Sequence, residues 1–338
     1  MSEASPKRTS GARARSSRAR QAPGAVWRDG IQLTDTPIWC DARRRRDVCF
    51  ASAYGRVGRA GHGQLIATPA TLAMLGASGP GHLGVPLRRK FSLGQLQLEL
   101  LPSGVGLGAA ALRVEAQGKT TLYAGAVSTR SAGVFEAGEV RAADCVVVAA
   151  PYGAPAHAFA DPAMIAAQLV EWVQAQAARG FVLVLVSTEL RALELATLLG
   201  RTGLELCAPP ALRNLARRAR AAAPALPELR NLARERPAVV LATTEMRESV
   251  VRRLGAAPLV TAWVSGEAAD PGALSRAAVD RGFAWSSCAD RAQLLSWIEA
   301  TAAREIYVTG RHAAEVVEHL GPRAAVLGPP LQMRLFTG

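Results

Sequence analysis

The sequence predicts an α/β protein whose first part is rich in β structure, and three observations carry that expectation. Between residues 160 and 270, apolar runs of strand length alternate with amphipathic stretches of helix length, the order that builds a parallel sheet. Before residue 150, apolar residues recur at every second position in short runs, the period of half-buried strands. Of the 338 residues 49% are hydrophobic, enough to bury a sizeable core in one large domain or two modest ones.

The elements follow in order. Folded character begins at about Ile31. Thr68-Pro69 reads as the cap and first position of a short helix that ends near Gly76, because proline lacks only an N–H that the first turn leaves unused. Phe91, Leu93, Leu96, Leu98 and Leu100 alternate as in strands. Ala110 to Glu115 and Lys119 to Tyr123 flank Gln117-Gly118, a hairpin signature. Asp161-Pro162 opens a helix with Ile165, Leu169, Trp172 and Val173 on one face, stopping by Gly180. Phe181 to Val186 reads as a buried strand, Glu189 to Leu199 as a helix, Val239 to Ala242 as a strand, Glu245 to Leu254 as a helix and Pro258 to Val264 as a strand. A helix near Arg291 to Ala300, the strand Ile306 to Thr309, a helix from His312 and a strand near Ala325 close the chain. The pentapeptide Arg-Asn-Leu-Ala-Arg occurs at 213–217 and 230–234, and both copies are expected on basic helices; two copies are too few for a solenoid.

Net charge is +13 and unevenly spread. Residues 1–25 form a basic tail, with Arg13, Arg15, Arg18 and Arg20 among its cations; so little apolar surface cannot offset the entropy of ordering, and disorder is expected. Arg43, Arg44, Arg45 and Arg46 form a second cluster, and Arg213, Arg217, Arg218 and Arg220 lead a third within 211–236. Such clusters are the electrostatic footprint of a polyanion binder. A compositional origin reads equally well, since only three of forty basic residues are lysine. Five scattered cysteines without a CxxC pair suit reduced, structural thiols better than disulfides or a zinc ribbon. No apolar run approaches the roughly 20 residues of a membrane span, and no hydrophobic signal core opens the chain, so a cytoplasmic protein with no membrane partner is expected.

Several stretches, in a shared order from about residue 31 to 335, resemble the metallo-β-lactamase-fold/β-CASP nucleases, in particular the DNA-ligase-associated exonucleases and mRNA 3′-end-processing factors. Ile38-Trp39-Cys40-Asp41 resembles the first strand and its aspartate. Gly61-His62-Gly63-Gln64-Leu65-Ile66-Ala67-Thr68-Pro69 resembles the segment after the main metal motif. Pro102-Ser103-Gly104-Val105-Gly106-Leu107-Gly108 resembles the Pro-Ala-Gly-His-x-x-Gly turn, Ala124-Gly125-Ala126 the Ser-Gly-Asp motif, and Asp144 to Gly153 the strand ending in Glu-Ser-Thr-Tyr-Gly. Ser286-Ser287-Cys288-Ala289-Asp290 resembles Ser-Asp-His-Ala-Asp, and Tyr307-Val308-Thr309-Gly310 resembles Tyr-Val-Thr-His.

The resemblance implies a four-layer αββα sandwich with a reduced β-CASP-like α/β cassette: residues 26–159 and 271–338 as the two parts of the lactamase-like domain, and 160–270 as the cassette. It also implies a lost site. Family members hold two zinc or manganese ions, which activate water for phosphodiester hydrolysis. The positions matching the ligands and proton-transfer groups are here Ser52, Tyr54, Arg56, Val57, Val105, Ala126, Ala149, Cys288 and Gly310, leaving Asp41 and Asp290 as the retained residues. Arginine and valine cannot ligate a dication, and no two of the five histidines show metal-ligand spacing, so neither a metal site nor a cofactor is expected. Asp41 has a metal-independent role open to it, ordering a strand end by accepting backbone hydrogen bonds. The glycines at 104, 106 and 108 read as a tight turn rather than a nucleotide loop.

By this reading the chain is a pseudoenzyme that binds DNA or RNA, or acts as a scaffold for an active nuclease or DNA ligase, in DNA repair or RNA processing. The competing expectation is an active exonuclease or other metallo-hydrolase with a rebuilt site.

Overall fold

A computed structural model describes residues 24–58, 61–233 and 238–329. Eight helices occur among them: α1 (Pro69–Leu75), α2 (Pro162–Ala177), α3 (Glu189–Gly200), α4 (Pro210–Ala219), α5 (Arg247–Leu254), α6 (Pro271–Ala277), α7 (Arg291–Ala300) and α8 (Ala313–Leu320). The α/β class expected from the sequence is what the chain adopts, with three sheets. No helix among the described residues is long and apolar enough to cross a membrane.

The first sheet takes its six strands in chain order: Ala25–Trp27, Ile31–Leu33, Ile38–Cys40, Val48–Phe50, Gln64–Ala67 and Leu83–Gly84. The second has seven, ordered Ala324–Val326, Glu305–Thr309, Cys145–Ala149, Lys119–Gly125, Ala110–Ala116, Leu96–Pro102 and Lys90–Leu93. The expected hairpin lies within it. Ala116 pairs with Lys119, and Gln117 and Gly118 both adopt positive φ, as the two-residue turn requires.

These two sheets share a core in which Ile38, Phe50 and Ile66 meet Leu98, Leu112, Tyr123 and Val147. Strand alternation sends Leu122, Ala124, Val146 and Val148 to the other face of the second sheet, where Leu294, Trp297 and Ile298 of α7 and Val316 and Leu320 of α8 cover them. On the outer face of the first sheet, Cys49, Leu65 and Ala67 pack on Leu72 of α1. Helix α1 has the boundaries its sequence signals: Thr68 Oγ1 accepts from the Thr71 N–H, Pro69 opens the first turn, and Gly76 closes it in the left-handed region.

The third sheet is wholly parallel, ordered Leu206–Cys207, Val239–Thr243, Phe181–Val186, Leu259–Val264 and Arg281–Phe283. Phe181–Val186 is buried at every position, as a central strand covered on both faces must be. Val182, Val184 and Val186 face α2, α3 and α4, whereas Phe181, Leu183 and Leu185 face α5 and α6.

Three expectations need correction. The folded chain starts before residue 26: Ala25 begins a strand, and the Gly24 N–H donates to Glu305. The α/β unit runs past residue 270, because α6 packs on its core and Arg281–Phe283 supplies its edge strand. The first Arg-Asn-Leu-Ala-Arg copy lies on α4, but residues 230–233 are not helical; Arg230 forms a bridge with Cys207, and Pro224 and Pro227 precede it.

Candidate functional site: an arginine-lined cavity

The carboxyl edge of the third sheet contains a topological switch point. The chain leaves Phe181–Val186 into α3 on one face and leaves the adjacent strand Leu259–Val264 towards α6 on the other. The diverging connections open a crevice beyond the strand ends, the place where open α/β sheets bind ligands. A cavity of about 190 Å³ lies there. Ser187, Thr188 and Arg191 come from the start of α3, Ser265 and Gly266 follow the second strand, and Trp285 to Cys288 follow Arg281–Phe283. The opposite wall comes from the first two sheets, through Tyr54 and Arg56 after Val48–Phe50, Val105 in the glycine turn, and Pro151 and Tyr152 after Cys145–Ala149. Gly266 permits the close approach of these parts, since a Cβ there would lie 2.6–2.7 Å from the rings of Phe159 and Tyr152.

The cavity gathers four of the positions matched to family ligands: Tyr54, Arg56, Val105 and Cys288. Ala126, Ala149 and Gly310 stand at the carboxyl ends of three neighbouring strands of the second sheet, with Ala149 adjacent to Thr309 in register. Val57 lies elsewhere, packed against the cluster of Ala42, Cys49, Leu65 and Leu72 on the outer face of the first sheet. Ser52 is buried and faces Asp41 instead of the cavity.

The two retained aspartates have structural partners. Asp41 Oδ1 accepts from the Ser52 N–H at 2.8 Å, and Oδ2 accepts from Ser52 Oγ at 2.6 Å and Tyr123 Oη at 2.8 Å. Asp290 caps α7 through a reciprocal box with Gln293 and also accepts from the Phe159 N–H.

Arg191 is the least expected member of the wall. It is only 3% exposed, lies 3.9 Å above the Trp285 ring and pairs through Nη1 with Glu194, while its Nε and Nη2 have no hydrogen-bond partner. Burial pushes the Cys288 thiol up, and Arg56 and Ser286 only partly pull it back, so it remains protonated near neutral pH. Burial likewise raises Tyr152. The donor set does not fit a pair of dications: two guanidiniums, a valine, a tyrosine and a protonated thiol offer repulsion or weak ligands. Among the described residues no three His, Cys, Asp or Glu side chains cluster to hold a metal.

The histidines are used in other ways. His62 Nδ1 accepts from the Arg46 N–H and His82 Nδ1 from the Leu65 N–H. His157 and His312 stack edge to face at 4.8 Å, a pairing that 155 residues of separation conceal in the sequence. Of the basic clusters, Arg43, Arg44 and Arg45 are exposed, whereas Arg46 lies over Trp39 and donates to the carbonyls of Arg28 and Asp29. Arg217 and Arg218 are exposed on α4 and Arg220 is exposed at its C-terminal cap, while Arg213 is half-buried. Both clusters flank the end of α1: Ala42 shares a core with Leu72, and Arg218 approaches Gly76. Arg13, Arg15, Arg18 and Arg20 lie outside the described residues.

The fold and site thus define an α/β protein with a polar, cationic cleft between a pair of packed sheets and a parallel α/β unit. No protein-family model matches the chain, and no curated protein matches it.

Proposed function

We propose that the protein is a non-catalytic nucleic-acid-binding relative of the metallo-β-lactamase/β-CASP nucleases, with the metal cleft converted into a cationic one. The observation that carries this reading is the convergence of Tyr54, Arg56, Val105 and Cys288 on one cavity at the junction of the sheets. Four of the nine positions chosen from sequence resemblance alone thereby fall together in space, with side chains unsuited to dications. The packed sheets with α1 outside one and α7 and α8 outside the other support an αββα sandwich of the lactamase type, and the parallel unit supports a reduced cassette.

The basic surface favours a polyanion as partner. The loop bearing Tyr54 and Arg56 continues to Gly58, whose N–H donates to the Ala42 carbonyl beside the arginine run. A strand that reached the cavity would therefore pass exposed arginines, each neutralising phosphate and releasing counterions. An active nuclease or a DNA ligase is the protein partner to which the family resemblance leads. The test is a titration of single- and double-stranded oligonucleotides at several salt concentrations. Sequence-tolerant binding that weakens steeply between about 50 and 200 mM salt supports the proposal; no binding at low salt removes it.

A further inference from the structure

We propose that a second cavity, on the face of the parallel sheet that carries α5 and α6, binds a small aromatic carboxylate. The site shares no lining residue with the junction cavity and is independent of the nucleic-acid reading.

The topology of the third sheet places it. The central strand Phe181–Val186 sends its chain to α3 on one face, whereas both neighbouring strands, Val239–Thr243 and Leu259–Val264, send theirs to α5 and α6 on the other. The direction of the connections therefore reverses on both sides of the central strand, and such reversals are where open α/β sheets take ligands. The junction cavity lies at one of them. A cavity of about 390 Å³ spans the other, bringing together Leu185, Thr244 just after Val239–Thr243, and Trp263. That volume falls within the range of about 300–1,000 Å³ typical of small-molecule pockets.

The packing of α6 explains both the space and its chemistry. Ala273 and Ala277, one turn apart, are the residues α6 turns to the cavity alongside Arg276. Alanine side chains are too short to fill the gap against Leu185 and Trp263, so the wall is apolar and includes an indole. A flat ring matches such a wall, because aromatic pairs gain more than the area they bury.

The rim supplies the anion's partner. Arg247 is committed, since its Nη1 and Nη2 donate to the carbonyls of Ala277 and Ala278 and brace the end of α6. Glu267 is held by Arg311 at 3.1 Å. Arg276 is the available cation: its ion pair with Asp270 is 3.7 Å long, and the two side chains are 75% and 62% exposed. A pair of that kind contributes little and exchanges for a better acceptor. One guanidinium fork matches the two oxygens of a singly charged carboxylate. The site therefore takes a ring against Trp263 and a carboxylate at Arg276.

The test is isothermal titration calorimetry with indole-3-acetate, compared with uncharged indole and ring-free hexanoate. Indole-3-acetate is expected to bind about three- to fivefold tighter than indole, as an exposed ion pair allows, and about tenfold tighter than hexanoate. Arg276→Gln should bring the acid level with indole. Ala277→Leu, which fills the cavity, should weaken both ring compounds by about tenfold or more. Arg276 is exposed, so its variant keeps the test sharp whatever Ala277→Leu does to folding. Equal affinity of the wild type for the acid and indole overturns the carboxylate assignment, and equal affinity for the acid and hexanoate overturns the aromatic one. No binding of any of the three below about 10 mM, or binding untouched by both substitutions, overturns the site.

Discussion

Tyr123 donates a hydrogen bond to Asp41 Oδ2 at 2.8 Å, tying the second sheet to the turn that follows Ile38–Cys40 in the first. Ser52 adds its N–H and hydroxyl to the same carboxylate, so three donors occupy a group with about four acceptor directions. Asp41 itself adopts a φ of +49°, and its N–H donates to the Phe50 carbonyl. A residue that resembles a catalytic aspartate in the sequence is therefore a bracket between two sheets.

Removing that bracket should cost stability. Asp41→Ala is expected to lower the unfolding free energy by about 2–4 kcal/mol, because it leaves the buried Tyr123 hydroxyl without its acceptor and places alanine at positive φ. Tyr123→Phe should cost about 1.5–3 kcal/mol. Urea unfolding of both single variants and the double variant measures the coupling. Additive losses would show that the two residues act separately.

Asp290 gives a comparable test. Its carboxylate accepts from Gln293 N at 2.8 Å and Phe159 N at 3.1 Å, joining α7 to the segment before α2. Asp290→Ala should destabilise by about 1–3 kcal/mol, and Asp290→Ser, which keeps a cap, by less. Equal melting temperatures for the two variants would contradict the capping role.

Glu305 makes stability depend on pH. Burial raises its carboxyl, but Lys119 at 2.7 Å, Tyr307 and the Gly24 N–H outweigh burial and hold it below the ordinary value. A depressed carboxylate contributes stability that is present above its unfolded value of about 4.3 and is lost as pH falls through the folded value. Glu305→Gln should therefore be less stable than the wild type at neutral pH, with the gap closing below about pH 4. Denaturant midpoints across that range measure it, and a constant gap would show that the charge is irrelevant.

The basic tail and arginine clusters lead to a separate expectation for binding. Deleting residues 1–22, which carry six cations and one anion, should weaken oligonucleotide binding and flatten its salt dependence. Replacing Arg43, Arg44 and Arg45 by alanine should do the same without loss of fold, since all three are exposed. Salt titrations of each variant decide this. An unchanged slope would assign the arginines to composition alone.

Local chemistry made part of this structure legible. The Thr68-Pro69 cap, the Gln117-Gly118 turn and the continuous apolar run Phe181 to Val186 each declare themselves within a few residues. Ala25–Trp27, Leu206–Cys207 and Arg281–Phe283 did not, because two or three residues are too few to show a period. At the cavity, resemblance identified Tyr54, Arg56, Val105 and Cys288 but missed Arg191, Tyr152 and Trp285. Arg191 reads in sequence as an ordinary helix-surface arginine. Only the switch point, a property of strand order, turns it inward, although Ser187-Thr188 after a buried strand was the signal available.

The most direct test of the central claim is elemental analysis of the purified protein, combined with nuclease assays supplemented with zinc and manganese on the same sample. The account predicts no stoichiometric metal and no cleavage of single- or double-stranded substrates. About two tightly held metal ions per chain together with cleavage would contradict it, since that pair is what activates water in the nucleases it resembles.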